Sequence, residues 1–297
     1  MFSLKSLATV LFTCCVFVNG PRMQSVKSKS SAAMPQTAQA QTATDLEILA
    51  QGIQSRIQHP FVAVIRDAQT YAELKKAEPQ LPKLDEEFFE SSIAVAAFLG
   101  ERNTGGYSVE ITREGGGILV TENKPGKSAM VTQMITFPFE LVSVPALGTS
   151  PVAVAYPDNS NFVKQSYHVT TGNFTNSGGL VERIEQYGLE GKVDVLRERN
   201  LATFSFFLKN TGETNEHLLL DSVTGQIGSG GAITIRKMSA WTLVSVPNGG
   251  LEAKGEFTKN DSRMLLNFNS RRSLAVDGYY GGGGSIETIV IGSKPAP

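Results

Sequence analysis

Ile93-Ala94-Val95-Ala96-Ala97-Phe98-Leu99-Gly100-Glu101-Arg102-Asn103-Thr104-Gly105-Gly106-Tyr107-Ser108-Val109-Glu110-Ile111 holds two kinds of strand and the turn between them. Ile93 to Leu99 is apolar throughout, the pattern of a strand covered on both faces. Tyr107, Val109 and Ile111 alternate with Ser108, Glu110 and Thr112, the pattern of a strand with one face in water. The residues between must make a tight connection. Gly105 and Gly106 permit positive φ, where a β-carbon would clash. Asn103 and Thr104 can bond their own backbone and hold the turn. Tyr107 can anchor the loop base through its ring and leave its hydroxyl to a polar partner. A rigid loop presented on a sheet is expected, with Asn103, Thr104, Gly105, Gly106 and Tyr107 as the candidate binding residues.

Outward from this segment the first half reads as a β-rich domain with one short helix, over residues 46–147. Phe61-Val62-Ala63-Val64-Ile65 is a short buried strand. Asp67 can cap a helix from Ala68 to about Ala77, with Tyr71 and Leu74 on one face and Pro79 as its stop. Pro79 to Glu87 reads as an acidic loop, with Asp85, Glu86, Glu87 and Glu90 forming a solvated rim beside Phe88 and Phe89. Further strands are expected at 117–122, 129–137 and 139–144. Gly148, Pro151 and Pro157 mark a linker over 148–160.

Residues 161–297 read as an all-β antiparallel barrel or sandwich of eight or nine strands. Tyr167 and Val169, then Phe204, Phe206 and Leu208, then Ile233 and Ile235 recur at spacings of two, as do Met264, Leu266 and Phe268. Leu251, Ala253, Gly255 and Phe257 alternate with charged residues. Gly and Asn clusters at 176–179, 209–215, 228–231 and 248–250 divide the runs. Leu-Val-Ser-Val-Pro occurs at 141–145 and again at 243–247, but nothing else aligns at that offset, so there is no repeat.

At the N-terminus Lys5 precedes an apolar run from Leu7 to Val18. As a helix at about 1.5 Å per residue it reaches roughly 18 Å, against a hydrocarbon core of about 30 Å. That is the length of a signal-peptide core, and residues 1–20 are expected to be one. Leu11-Phe12-Thr13-Cys14 is similar to a lipoprotein signal, with Phe12 and Thr13 where small residues are usual, which makes Cys14 the candidate lipidation site. Residues 21–45 are Ser, Ala, Gln, Thr and Lys with few large apolar side chains, the composition of a disordered tether. Both cysteines, Cys14 and Cys15, fall in the leader, so the folded part has neither a disulfide nor a thiolate site.

Composition excludes more than it selects. The 297 residues are 41% apolar and 19% charged, a globular balance, and 27 basic against 28 acidic residues leave no bulk charge for nucleic acid. His59, His168 and His217 have no second ligand at a metal spacing. No Gly-x-Ser-x-Gly elbow occurs. Thr121 to Ser128 ends like a phosphate-binding loop but has Thr121 at the first glycine position, and a strand rather than a helix is expected after it. Gly278 to Ser285, with Tyr279 and Tyr280, reads as a long glycine-rich connection. No catalytic residue, metal or cofactor is expected.

The run from Phe98 to Ile111 resembles the signature of the PrcB C-terminal domain family of protease-complex subunits. The resemblance extends to Gly52-Ile53-Gln54-Ser55-Arg56-Ile57, to Val64-Ile65-Arg66-Asp67 and to Thr136-Phe137-Pro138-Phe139-Glu140-Leu141-Val142. It covers roughly 46–147, about a third of the chain. It implies an exported, non-enzymatic accessory protein, often lipid-anchored, that helps a cell-envelope protease assemble or stay stable. The partner is then a protein, a protease being the one implied, and the membrane is met only through the anchor. The location is the periplasm or cell surface. The same loop resembles that of chagasin-like protease inhibitors, though Asn103-Thr104-Gly105-Gly106-Tyr107 lacks their proline and has an extra glycine. A small-ligand carrier housed in the C-terminal β domain is the third reading.

Overall fold

The computed structural model describes residues 46–114, 117–145, 152–156, 162–178, 184–211, 218–238, 251–258, 261–270 and 282–291. They form strands β1 (Glu47–Gly52), β2 (Phe61–Ile65), β3 (Ser92–Phe98), β4 (Ser108–Glu114), β5 (Gly117–Asn123), β6 (Phe139–Pro145) and β7 (Val154–Ala155). Then follow β8 (Gln165–Gly178), β9 (Ile184–Glu198), β10 (Leu201–Thr211), β11 (Leu218–Ile227), β12 (Ala232–Met238), β13 (Leu251–Thr258), β14 (Arg263–Ser270) and β15 (Gly282–Ile291). Helices α1 (Ala68–Ala77) and α2 (Phe88–Ser91) lie between β2 and β3.

The chain is mainly β. β1, β6, β3 and β2, in that order, make an antiparallel sheet, and β4, β5 and β7 a second small one. Ile93 to Leu99 is buried residue by residue, as is Phe61 to Ile65. α1 starts where Asp67 accepts from the Thr70 N–H at 2.8 Å, and it buries Tyr71 and Leu74. β8 to β15 pair in chain order, and β8 returns to β15, so the C-terminal half is an eight-stranded up-and-down barrel with no open edge. Inward positions of β10 carry Phe204, Phe206 and Leu208. Phe204 stacks on Phe257 at 6.2 Å and Phe206 meets Phe268 edge-on at 5.9 Å, so this end of the barrel is filled by side chains.

β2 is the edge of its sheet, yet it is buried against the outer wall of the barrel. Two of its free backbone groups are met by hydroxyls. Val64 N–H donates to Thr224 Oγ1 at 2.7 Å, and Thr203 Oγ1 donates to the Val62 carbonyl at 2.5 Å. The two hydroxyls are 2.7 Å apart. A hydroxyl has one proton, and Thr203 spends its own on the carbonyl, so Thr224 must donate to Thr203. The result is a one-way chain from the Val64 N–H through both threonines to the Val62 carbonyl. Beside it Arg66 Nη2 meets Asp221 Oδ1 at 2.7 Å, both side chains being buried.

Asp221 Oδ1 also accepts from the Val152 N–H at 2.8 Å, and the Val152 carbonyl accepts from the Ser222 N–H at 2.9 Å. Val154 then pairs with Ile118 in β5. The part of the expected 148–160 linker that the structure describes is therefore a stitch between β11 and β5, with Val152 and Val154 buried. The described residues cluster as one compact unit.

Three local expectations need correction. Residues 129–137 form no strand but an extended segment with single bridges, because their apolar residues come as Met130-Val131 and Met134-Ile135 rather than at every second position. A second helical turn, α2, follows the acidic loop, and its Phe89 is buried on Phe88 and Tyr71 while Asp85, Glu86, Glu87 and Glu90 stay exposed. Asn176 to Gly178 and Gly282 to Gly284, read as breaks, pair with each other, since closing the barrel outweighs their poor strand propensity. The leader, the tether and Cys14 lie outside the described residues.

The threonine chain predicts a measurable coupling. Thr203→Val and Thr224→Val each strand a buried polar group and should lower unfolding free energy by about 1–3 kcal/mol in urea titrations of the full chain. Because both act on one chain, the double variant should lose less than the sum. Additive losses, or losses below about 0.3 kcal/mol, would contradict the arrangement.

Candidate functional site

The loop between β3 and β4 begins at Gly100, whose φ of +73° no L side chain adopts easily and whose added Cβ would lie 2.8 Å from the Gln58 carbonyl. Glu101 N–H donates to that carbonyl at 3.2 Å, fixing the loop base to the residues that enter β2. Arg102 comes next and turns inward. Its Nε meets Glu122 Oε1 of β5 at 2.9 Å, and Nη1 donates to the carbonyls of Leu99 at 2.9 Å and Glu101 at 2.7 Å. Its guanidinium lies 5.8 Å from the centre of the Tyr107 ring, within cation–π range. Arg102 thus spans the loop from inside. The sequence shows only a basic residue in a turn, which does not say that it points inward.

A second segment clamps the loop. Arg102 and Thr136 exchange backbone hydrogen bonds at 2.8 and 2.9 Å. Gly105 N–H donates to the Thr132 carbonyl at 2.9 Å, and Thr136 Oγ1 to the Thr104 carbonyl at 3.0 Å. On its other side the clamp is held by Phe137 N–H to the Ile53 carbonyl at 2.8 Å and by Ser55 N–H to the Phe137 carbonyl at 3.0 Å. The turn is therefore held by backbone groups, the Arg102 side chain and Thr136, not by Asn103 and Thr104, whose side chains make no hydrogen bond among the described residues.

The two glycines differ in their reasons. Gly106 has φ +82°, and an added Cβ would sit 2.9 Å from Val131 Cγ1. Gly105 does not have positive φ; its reason is contact, since an added Cβ would lie 2.3 Å from Thr132 Oγ1 and that hydroxyl would have to turn away. In β6 Glu140 is buried and accepts from the Ile111 N–H of β4 at 2.6 Å; burial pushes its carboxyl above the ordinary glutamate range despite that bond.

What this arrangement can do is present polar side chains from a fixed backbone. Asn103 is exposed and Thr104 and Tyr107 partly so. Beside them the clamp exposes Met130 fully, Ile135 at 52% and Met134 at 43%, and Ile53 at 48% lies across the Phe137 pairing. This apolar rim was missed because 129–137 reads as a strand; the non-alternating Met-Val and Met-Ile pairs were the available signal. Other candidates are not brought to the loop. His59 and His168 are exposed, and among the described residues no three His, Cys, Asp or Glu are placed to hold a metal. Thr121 to Asn123 ends β5, and Lys124 to Ser128 is an exposed turn that opens no helix. Tyr279 and Tyr280 lie outside the described residues. No helix among the described residues is long and apolar enough to cross a membrane.

Gly106→Ala should lower stability by about 1 kcal/mol or more, through its positive φ and the Val131 contact. Thr104→Ala should change it by less than about 0.5 kcal/mol, since the hydroxyl holds nothing. Thermal melts of the two variants check this, and an equal loss in both would contradict a backbone-held turn. No curated protein and no solved structure matches the chain. Gly52 to Ile57 and Val64 to Asp67 lie outside the one segment for which a family is found. That segment, residues 93–145, holds both the loop and its clamp and matches the PrcB C-terminal family.

Proposed function

We propose that this chain is an exported, non-enzymatic accessory protein that binds a cell-envelope protease and aids its assembly or stability, with Asn103 to Tyr107 as the contact loop. The observation that carries this reading is that the loop is held entirely from behind. Arg102, Gly105 and Thr136 make the internal bonds, and the outward Asn103 and Thr104 side chains are left for a partner. A preformed loop loses little conformational entropy on binding, which favours recognition. The neighbouring Met130, Met134, Ile135 and Ile53 add an adaptable apolar rim of the kind found at protein contacts. The PrcB C-terminal match over residues 93–145 supports a protease complex as the setting. An anchor at Cys14 and a location in the periplasm or at the cell surface belong to the same proposal.

The carrier reading draws no support from the described end of the barrel, where Phe204, Phe206, Phe257 and Phe268 fill the interior. The inhibitor reading shares the loop and differs in what happens to the protease.

Capture of native-envelope proteins on the full chain, compared with the Asn103→Ala/Thr104→Ala variant, tests the proposal. The wild type should retain a protease that the variant loses by about tenfold or more at an unchanged melting temperature. Proteolytic activity of the captured complex should persist; abolished activity would favour the inhibitor. Equal capture by the variant would remove the loop from the interface.

A further inference from the structure

A cleft of about 420 Å³ opens where the residues entering β2 face the β9–β10 hairpin. Arg56, Gln58 and His59 line one side and Arg197, Glu198 and Arg199 the other. We propose that this cleft binds a multivalent oxyanion, a phosphate-bearing or polycarboxylate small molecule.

Charge is the first support. The Arg197 guanidinium is engaged by Asp261 at 2.7 Å and lies 3.8 Å over the Phe257 ring of the barrel interior, so its charge is spent away from the cleft. Glu198 is buried and stands 3.5 Å from Arg199 Nε. Arg199 is thus balanced by Glu198, and the Arg56 side chain has no ion-pair partner among the described residues. Arg56 and Arg199 are the cations left to meet an anion there. Guanidinium forks match the geometry of phosphate and carboxylate oxygens.

Backbone conformation is the second support and is independent of charge. Glu198 pairs with Leu201, so Arg199 and Asn200 form a two-residue hairpin loop, and Arg199 has φ +53°. Glycine is the residue suited to the first position of such a loop when only that φ is positive. Among the described residues the only other non-glycine with positive φ is Asp261, the partner of Arg197. Aspartate tolerates that region; arginine does so much less readily. Strained positions gather at functional sites, and Arg199 is the one of the two that lines the cleft. The turn is also pinned. Asn200 Nδ2 donates to Glu73 at 2.9 Å, and the Asn200 carbonyl accepts from the Ile227 N–H at 2.7 Å. On the opposite wall the Glu78 carboxylate accepts from the Arg56 N–H. Arg56 and Arg199 therefore each spring from a fixed backbone.

Titration calorimetry of the full chain with pyrophosphate and with citrate, at ionic strength matched by sodium chloride, tests the site. At least one probe should bind saturably, and the one that binds says whether phosphate or carboxylate is preferred. Arg199→Gly should weaken binding by about tenfold or more while melting no lower than wild type, because glycine suits φ +53°. Arg56→Gln should weaken it similarly from the other wall. No saturable binding of either probe, or unchanged affinity in either variant, would overturn the proposal. The site is separate from the Asn103 to Tyr107 loop, so neither result bears on protease binding.

Discussion

A buried edge strand is the constraint on which the rest of this structure depends. β2 has one side hydrogen-bonded to β3 and the other turned towards a barrel wall, away from water. Unpaired backbone groups in such a place cost about 1–3 kcal/mol each. A partner strand is the usual remedy. Here two threonine hydroxyls relay a single hydrogen-bond direction from Val64 N–H to the Val62 carbonyl. The Arg66–Asp221 pair lies at the same seam, where isolating either charge would be more costly still. The first sheet can therefore use all of β2 and β3 as core, because the barrel completes the edge.

The loop inherits its fixity from that seam. β3 lies between β2 and β6, and its end leads through Leu99 to Gly100, which is pressed onto Gln58 and Pro60 just before β2. Arg102 ties the loop to β5, and β5 is tied through β7 and Val152 to Asp221, the residue that holds Arg66. The path from barrel to loop is thus a series of named hydrogen bonds and buried pairs. Regions rich in such contacts are the last to open locally. A contact loop built on them can present side chains without first ordering itself.

Much of this is legible in the sequence, for particular reasons. The apolar run of Ile93 to Leu99 and the alternation from Tyr107 mark the two strands, because burial on two faces and on one leave different patterns. Asp67 and Pro79 bracket α1 through local capping chemistry. The barrel rather than a sandwich was not legible, since both bury alternate residues and differ only in which strands meet last. The stitch at Val152 was hidden for a similar reason: a short segment with Gly148, Pro151 and Pro157 looks like a linker unless its partner, Asp221 in β11, is known. In the site, Gly106 was legible from its type, while the reason for Gly105 lay in Thr132, twenty-seven positions away. Inward Arg102 depends on Glu122, and nothing near Arg102 in the chain points to it.

The central claim is that the loop is held in place by its own scaffold before any partner arrives. Amide hydrogen exchange on the free full chain measures this. The amides of Arg102, Gly105 and Thr136 each have a backbone acceptor, whereas those of Asn103, Thr104 and Gly106 have none among the described residues. The first three should exchange slowly, within about tenfold of amides in β3 and β6, and the other three fast. If Gly105 and Arg102 exchange as fast as Asn103 and Thr104, the loop is not preformed, and its fixed presentation to a partner is lost with it.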